Sequence, residues 1–191
     1  LVNNVPQASG SGLVSPTGGL SFVFDVSPQG RRIVSSSRPL NDGQWHHIAL
    51  VRRDNTAFMY VDGVQEDRLL NWTNSHTTTS EIFVGRYAGT VSGFFDGSIS
   101  NINIVVGRAL YTSNFALPTT EPTTQTDTLL LLQDASFTNR SPQPTAVTVA
   151  GNVITNLQYP PIVGTSSIIR DIRSVASVSY THLTLPTNRE V

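Results

Sequence analysis

The sequence predicts an all-β chain folded as a two-sheet antiparallel sandwich, and three observations carry that expectation. Short apolar stretches alternate at period two: Leu20, Phe22, Phe24 and Val26 in one, and Phe58 and Tyr60 against Ala57, Met59 and Val61 in another. Turn signals recur about every ten residues, among them Asp54-Asn55 and Asp62-Gly63. No window sustains a 3.6-residue apolar period between caps, so almost no helix is expected. Composition agrees, because Ser and Thr number 43 among 191 residues and only 13% are charged. Such a chain suits sheets with polar outer faces.

Taken in order, residues 1–19 are rich in Gly, Pro, Ser and Asn and read as loop. Strands are expected at 20–26 and, as a short edge strand, at 31–36. The strongest candidate is 45–53, which places Trp45, His47, Ala49 and Val51 on one face and Ile48 and Leu50 on the other. That phase makes Trp45 a buried core anchor. The turn at Asp54-Asn55 leads into 56–62, and Asp62-Gly63 closes it. A polar stretch, NWTNSHTTTS at 71–80, precedes a short strand at 81–85 and a Gly-rich loop. In 98–106 Ile102, Ile104 and Val106 keep period two while Ile99 falls out of phase, which predicts a bulge near Ser100-Asn101. Residues 112–127 have the Pro/Thr texture of a surface crossing, and 128–134 and 146–149 complete the strands.

Charge and composition remove several function classes. All twelve basic residues are arginine, against thirteen acids, for a net charge of −1. No global field draws this chain to nucleic acid or to a membrane surface. Without lysine there is no Schiff-base or P-loop chemistry, and without cysteine no thiol catalysis, disulfide or cysteine-bound zinc. No apolar run approaches the ~18 residues of a membrane span, so no membrane insertion is expected. The chain opens at Leu1 with no signal-peptide core.

Two segments resemble a known family. Residues 42–63, DGQWHHIALVRRDNTAFMYVDG, resemble the signature hairpin of the laminin-G-like, concanavalin A-like jelly roll: a turn, Trp-His-x-aliphatic, an Arg, a turn, and a strand ending in Val-Asp-Gly. Residues 95–111, FDGSISNINIVVGRALY, are similar to the return strand of that family and to the GRALYTxNFxxP segment of its members in bacteriophage and bacterial surface proteins. The resemblance implies a jelly-roll β-sandwich over 1–126 that lacks some N-terminal strands. Residues 127–177 are then a closing strand or the start of a following module. Residues 178–187, VSYTHLTLPT, resemble a translated sequencing-library adapter. The natural sequence of what would be a metagenomic fragment is therefore expected to end near Ser177, with 178–191 a tail that makes no stable contacts.

The residue pattern argues against catalysis. Glycosidases on this fold use acids spaced E-x-D-x-(x)-E, because the two carboxyl groups of a retaining enzyme must lie ~5 Å apart across the bond. No such spacing occurs, and the neighbours Glu66 and Asp67 would face opposite sides of a strand. His46 and His47 likewise diverge, so neither a metal site nor a catalytic pair is expected; His47 reads as a core histidine. No cofactor is expected. The resemblance raises calcium, but where the family carries its main carboxylate ligand this chain has Gly18-Gly19. Asp62 and Asp96 read as turn formers.

The ligand-binding expectation rests on the polar stretch at 71–80. Trp72 would be an aromatic plate among the hydrogen-bonding Asn74 and His76, with Tyr87 in the next loop, an arrangement suited to sugars. The expected function is non-enzymatic recognition of a glycan or cell-surface polysaccharide, outside the cell or on a virion, beside other modules of the same parent chain. The alternatives are a spacer module of a tail fibre or adhesin and an accessory domain of a glycosidase. Asn71-Trp72-Thr73 and Asn139-Arg140-Ser141 match the N-glycosylation pattern.

Overall fold

A computed structural model describes residues 18–26, 30–72, 82–84, 97–133, 136–143, 146–149 and 176–179; for 23–26, 30–33, 83 and 176–179 it describes the backbone alone. The described residues form antiparallel strands and no helix. The strands are β1 (Ser21–Val26), β2 (Gly30–Ser35), β3 (Ile48–Arg53), β4 (Thr56–Val61), β5 (Val64–Leu69), β6 (Ile82–Val84), β7 (Ile102–Val105), β8 (Thr128–Leu132), β9 (Ala146–Val149) and β10 (Ala176–Ser179). The chain divides into two compact units, Leu1–Asn74 with Ala109–Pro118, and Ser75–Arg108 with Thr119–Val191.

In the first unit β1 pairs with β2, and β3, β4 and β5 form a meander. The turns follow from their sequences. Asp54 takes φ 53° between β3 and β4, and Asp62 and Gly63 take 52° and 81° in succession between β4 and β5. Two left-handed residues in a row match the twist of a two-residue hairpin. Gly63 has a second reason to lack a side chain: a Cβ there would lie 2.1 Å from the carbonyl oxygen of Phe115. That close approach is used, because the Phe115 amide donates to the Gly63 carbonyl at 2.9 Å.

β4 is buried on both faces. Ala57, Met59 and Val61 join Leu20, Val34, Leu69 and Trp72 in one core, so the two sheets of this unit share apolar packing. Phe58 and Tyr60, on the other face, pack with Ala49 and Val51 of β3 and with Ala109, Tyr111 and Phe115. The alternation expected for β3 and β4 is therefore present, but its outward extension fails. β4 ends at Val61, so the paired ladder begins only at Ile48↔Val61. Trp45 precedes the strand, is only half-buried, and belongs to neither core, which corrects the expectation of a buried anchor.

β5 has no counterpart in the sequence-based expectation. Its sequence, VQEDRL, has no alternating apolar set, because Leu69 is its one buried apolar residue and the groups before it that turn inward are carboxylates. The register shifts between Met59 and Tyr60, which pair with Asp67 and Gln65 and leave Glu66 as the extra residue of a bulge. The bulge also overturns the expectation that Glu66 and Asp67 face opposite sides. Both reach the end of β2 and the residues just after it: Asp67 Oδ2 accepts from the Ser35 amide at 2.9 Å, and Glu66 Oε2 from the Ser37 amide at 2.6 Å.

In the second unit β7 pairs with β8, and β6, β10 and β9 form a three-stranded sheet. Leu129, Leu130 and Leu132 of β8 pack against Ile99, Ile102, Ile104, Val106, Phe137 and Val147, among others. The bulge lies between Ile104 and Val105, which pair with Leu130 and Thr128 and leave Leu129 extra, rather than near Ser100-Asn101. Asn101 instead turns the chain with φ 52° ahead of the strand. Beside β8, the Asn139 side chain accepts from the Leu131 amide at 3.1 Å and donates to the Leu129 carbonyl at 3.3 Å. A side chain that mimics a neighbouring strand in this way satisfies backbone groups along β8. Val178 and Ser179, assigned from sequence to a tail without contacts, lie in β10, where Val178 pairs with Ile82 and Val147 and Ser179 with Ala146.

Candidate functional site

Trp72 follows β5 and turns into the core rather than out of it. Its side chain is 8% exposed and packs with Leu20, Val34, Met59 and Leu69. Its amide donates to the carbonyl of Asn55 in the β3–β4 turn at 2.7 Å. The Arg52 guanidinium lies 4.5 Å from the ring centroid, a cation–π contact, and donates to the Trp72 carbonyl at 3.3 Å. A ring packed into hydrocarbon and overlaid by a guanidinium offers no face to a sugar. The aromatic plate expected at Trp72 is corrected to an anchor that fixes the start of the 71–80 stretch. Asn71, beside it, is exposed and left-handed at φ 60°. Asn74, His76, Tyr87 and Asp96 lie outside the described residues. Of the two glycosylation patterns, the one at Asn139 has its amide engaged along β8.

Among the described residues, a dense polar cluster surrounds Asp62, placed by the β4–β5 turn opposite the segment that enters β3. Asp62 Oδ2 accepts from Arg38 Nη2 at 2.7 Å and meets His46 Nδ1 at 2.8 Å, while Oδ1 accepts from the His47 amide at 2.9 Å. Arg38 Nε also donates to Glu66 Oε1 at 3.0 Å. The second ring nitrogen of His46 lies 3.0 Å from Asp42 Oδ1, which also accepts from the Gln44 amide at 2.9 Å. Burial alone would raise the Asp62 pKa, but the bonds from His46, Arg38 and the His47 amide outweigh it and hold the carboxyl below its usual range. Asp62 is thus both the turn former expected and a hub that sequence reasoning missed. The signal was present in register: the Ile48↔Val61 pair puts residue 62 beside the backbone of residue 47.

His47 points into the aromatic side of the sheet, as a core histidine should. Its ring meets Tyr111 and Phe115 edge-on, at centroid separations of 5.8 and 5.5 Å, and those two rings stack at 3.7 Å. Burial pushes the His47 pKa down and the Tyr111 pKa up. This gives the GRALYTSNF segment a structural role. Tyr111 and Phe115 cover Ala49, Val51 and Tyr60; Asn114 Oδ1 accepts from the Gln65 amide at 2.9 Å; and the Thr112 carbonyl accepts from Arg53 Nη1 at 3.0 Å.

The residues at the family's calcium position do not fit the ion. Gly18 and Gly19 bring no side-chain oxygen, and the Gly18 carbonyl already accepts from the Leu40 amide at 2.9 Å. Among the described residues no group of three or more His, Asp or Glu is placed to hold a metal. The carboxylates of Asp42, Asp62, Glu66 and Asp67 are each engaged in hydrogen bonds that hold turns or strands.

Compared with known proteins, residues 13–105 match the family model of the Laminin G domain. No curated protein and no solved structure matches the chain. The match takes in the signature hairpin at 42–63 and residues 95–105 of the return-strand segment, on a chain whose described strands pair antiparallel throughout. Residues 13–105 are a laminin-G-like domain.

Proposed function

We propose that this domain is a non-catalytic recognition module that binds a glycan or cell-surface polysaccharide, displayed outside the cell or on a phage virion as one module of a longer chain. Laminin-G-like domains are β modules that commonly bind carbohydrates or proteins. The observation that carries the reading is the anchoring of Trp72. A ring held in the core, with its amide on Asn55, gives the polar stretch that bears Asn74 and His76 a fixed base. Loops on such a base carry recognition while the strands hold them in place. Tyr87 is the stacking ring in this reading, and Asn74 pairs with sugar hydroxyls through its donor and acceptor. Hydrogen-bonded carboxylates at the ends of the meander support a binding rather than a hydrolytic role.

A spacer without its own ligand is the second reading, favoured by the burial of Trp72, which leaves one aromatic fewer for a sugar. A glycan array probed with the full chain, presented as multimers to raise avidity, separates the two. Binding to a defined glycan class that is lost in Tyr87→Ala and weakened in Asn74→Ala supports recognition at these loops. Binding that survives both substitutions moves the site elsewhere. Absence of binding across a broad array leaves the spacer.

A further inference from the structure

His46 sets both ring nitrogens against carboxylate oxygens, Nδ1 on Asp62 and Nε2 on Asp42. An ionised carboxylate only accepts, so the two contacts are both hydrogen bonds only while both nitrogens carry a proton. The neutral ring has one N–H, and one carboxylate must then face a lone pair.

The two carboxylates are unequal. Asp62 is also held by Arg38 Nη2 and by the His47 amide, and Arg38 is itself tied to Glu66. Asp42 has the Gln44 amide, a contact within its own turn. That turn, residues 42–44, is exposed, and a Cβ built on Gly43 would meet nothing within 4 Å. We infer that His46 is a protonation-dependent latch: as an imidazolium it fastens the exposed turn at 42–44 to the Asp62-Gly63 hairpin, and on losing a proton it keeps Asp62 and releases Asp42.

The charged and titratable groups facing His46 are Asp42, Asp62 and, through Asp62, Arg38 and Glu66; His47 points away into the aromatic side of the sheet. Burial by itself would lower the His46 pKa, but the bonds to Asp62 and Asp42 outweigh it and hold the value above that of an ordinary imidazole. The latch therefore stays closed to a higher pH than an ordinary imidazole would allow, and opens as pH rises through the raised value. The turn it releases lies on the segment that leads into β3, so the device acts on one end of the first unit's meander.

The test is NMR on the full chain across the His46 titration, reading ring 15N shifts together with the heteronuclear NOE at Gly43 and Gln44. The expected result is a doubly protonated ring at low pH, a single proton on Nδ1 at high pH, and a fall in the NOE of the turn that follows the same transition. Asp42→Asn is the control, since its amide can donate to the Nε2 lone pair. It is expected to lower the His46 pKa and to remove the pH step in the NOE while leaving β3 unchanged. A final proton on Nε2, a turn whose NOE ignores the titration, or a His46 that titrates at or below the ordinary value would each overturn the latch.

Discussion

The two tryptophans of this chain mark regions built from opposite materials. Around Trp72 the contacts are hydrocarbon: Leu20, Val34, Ala57, Met59, Val61 and Leu69, with one guanidinium laid over the ring. Next to Trp45 in the sequence, at His46, the contacts are ionic: His46 lies between two carboxylates, and Arg38 across Asp62 and Glu66. Both regions lie beside the same β3–β4–β5 meander. One is closed by removing apolar surface from water, the other by charge-assisted bonds that stay close to solvent. The first should therefore be large in energy and insensitive to pH, and the second smaller and pH-dependent.

Substituting the two rings is the strongest way to break that comparison. Trp72→Ala is expected to cost about 3–5 kcal/mol in chemical denaturation, the range for deleting a large core aromatic. Trp45→Ala, at a half-buried position outside both cores, should cost about 1 kcal/mol. Equal losses would mean that the ionic region depends on ring packing after all. Asp62→Ala stands between them. It strips partners from His46, Arg38 and the His47 amide at once, at an expected cost of about 2 kcal/mol. A change below about 0.5 kcal/mol would show the hub to be idle on the folded surface.

The reversal of the two tryptophans also shows how far the sequence could be read. Alternation located β3 and β4, and Asp54-Asn55 and Asp62-Gly63 gave their turns, because each signal is local. Extending that alternation to Trp45 failed because a strand's phase holds only where a partner continues it, and β4 stops at Val61. Trp72 read as exposed because its polar neighbours suggested a loop, whereas its burial is decided by β2 and β4, far away in sequence. β5 was hidden for a related reason. Leu69 apart, its inward-reaching groups, Glu66 and Asp67, bond the backbone of residues 37 and 35, and no periodicity of hydrophobic residues reports a carboxylate aimed at an amide. Of the ligand-binding set, only Trp72 falls among the described residues.

The pH dependence sharpens the contrast between the adjacent histidines. His46 has its pKa raised in the folded chain, so it stabilises fully below about pH 6.5, and that contribution is lost as pH rises through the folded value. His47 has its pKa lowered by burial, so its contribution is present above about pH 6.5 and is lost as pH falls through the folded value. Together they predict a stability maximum close to the ordinary imidazole value, flanked by slopes of opposite sign. Denaturant melts across this window in His46→Gln should lose the alkaline fall, and in His47→Leu the acid fall. The shapes of the curves carry the test, since His47→Leu also alters packing against Tyr111 and Phe115. Identical slopes in both variants would place the titration on other groups.

The smallest expected effect concerns Tyr60, which shares its side of the sheet with His47. Tyr60 is fully buried, and among the described residues its hydroxyl has no hydrogen-bond partner. A buried, unsatisfied hydroxyl is destabilising by about 1–3 kcal/mol relative to a satisfied one, whereas its ring contributes through packing. The Tyr60 ring lies 6.4 Å from Phe58 and 5.6 Å from Phe115, centroid to centroid, and Tyr60→Phe retains both contacts. The substitution should therefore be neutral or stabilising, by no more than about 1 kcal/mol, as read from the denaturation midpoint at unchanged m. A loss of more than about 1 kcal/mol would show that the hydroxyl is satisfied in solution. The aromatic side of β4 would then be held by hydrogen bonding as well as packing, and its likeness to the hydrocarbon face around Trp72 would end at the ring edge.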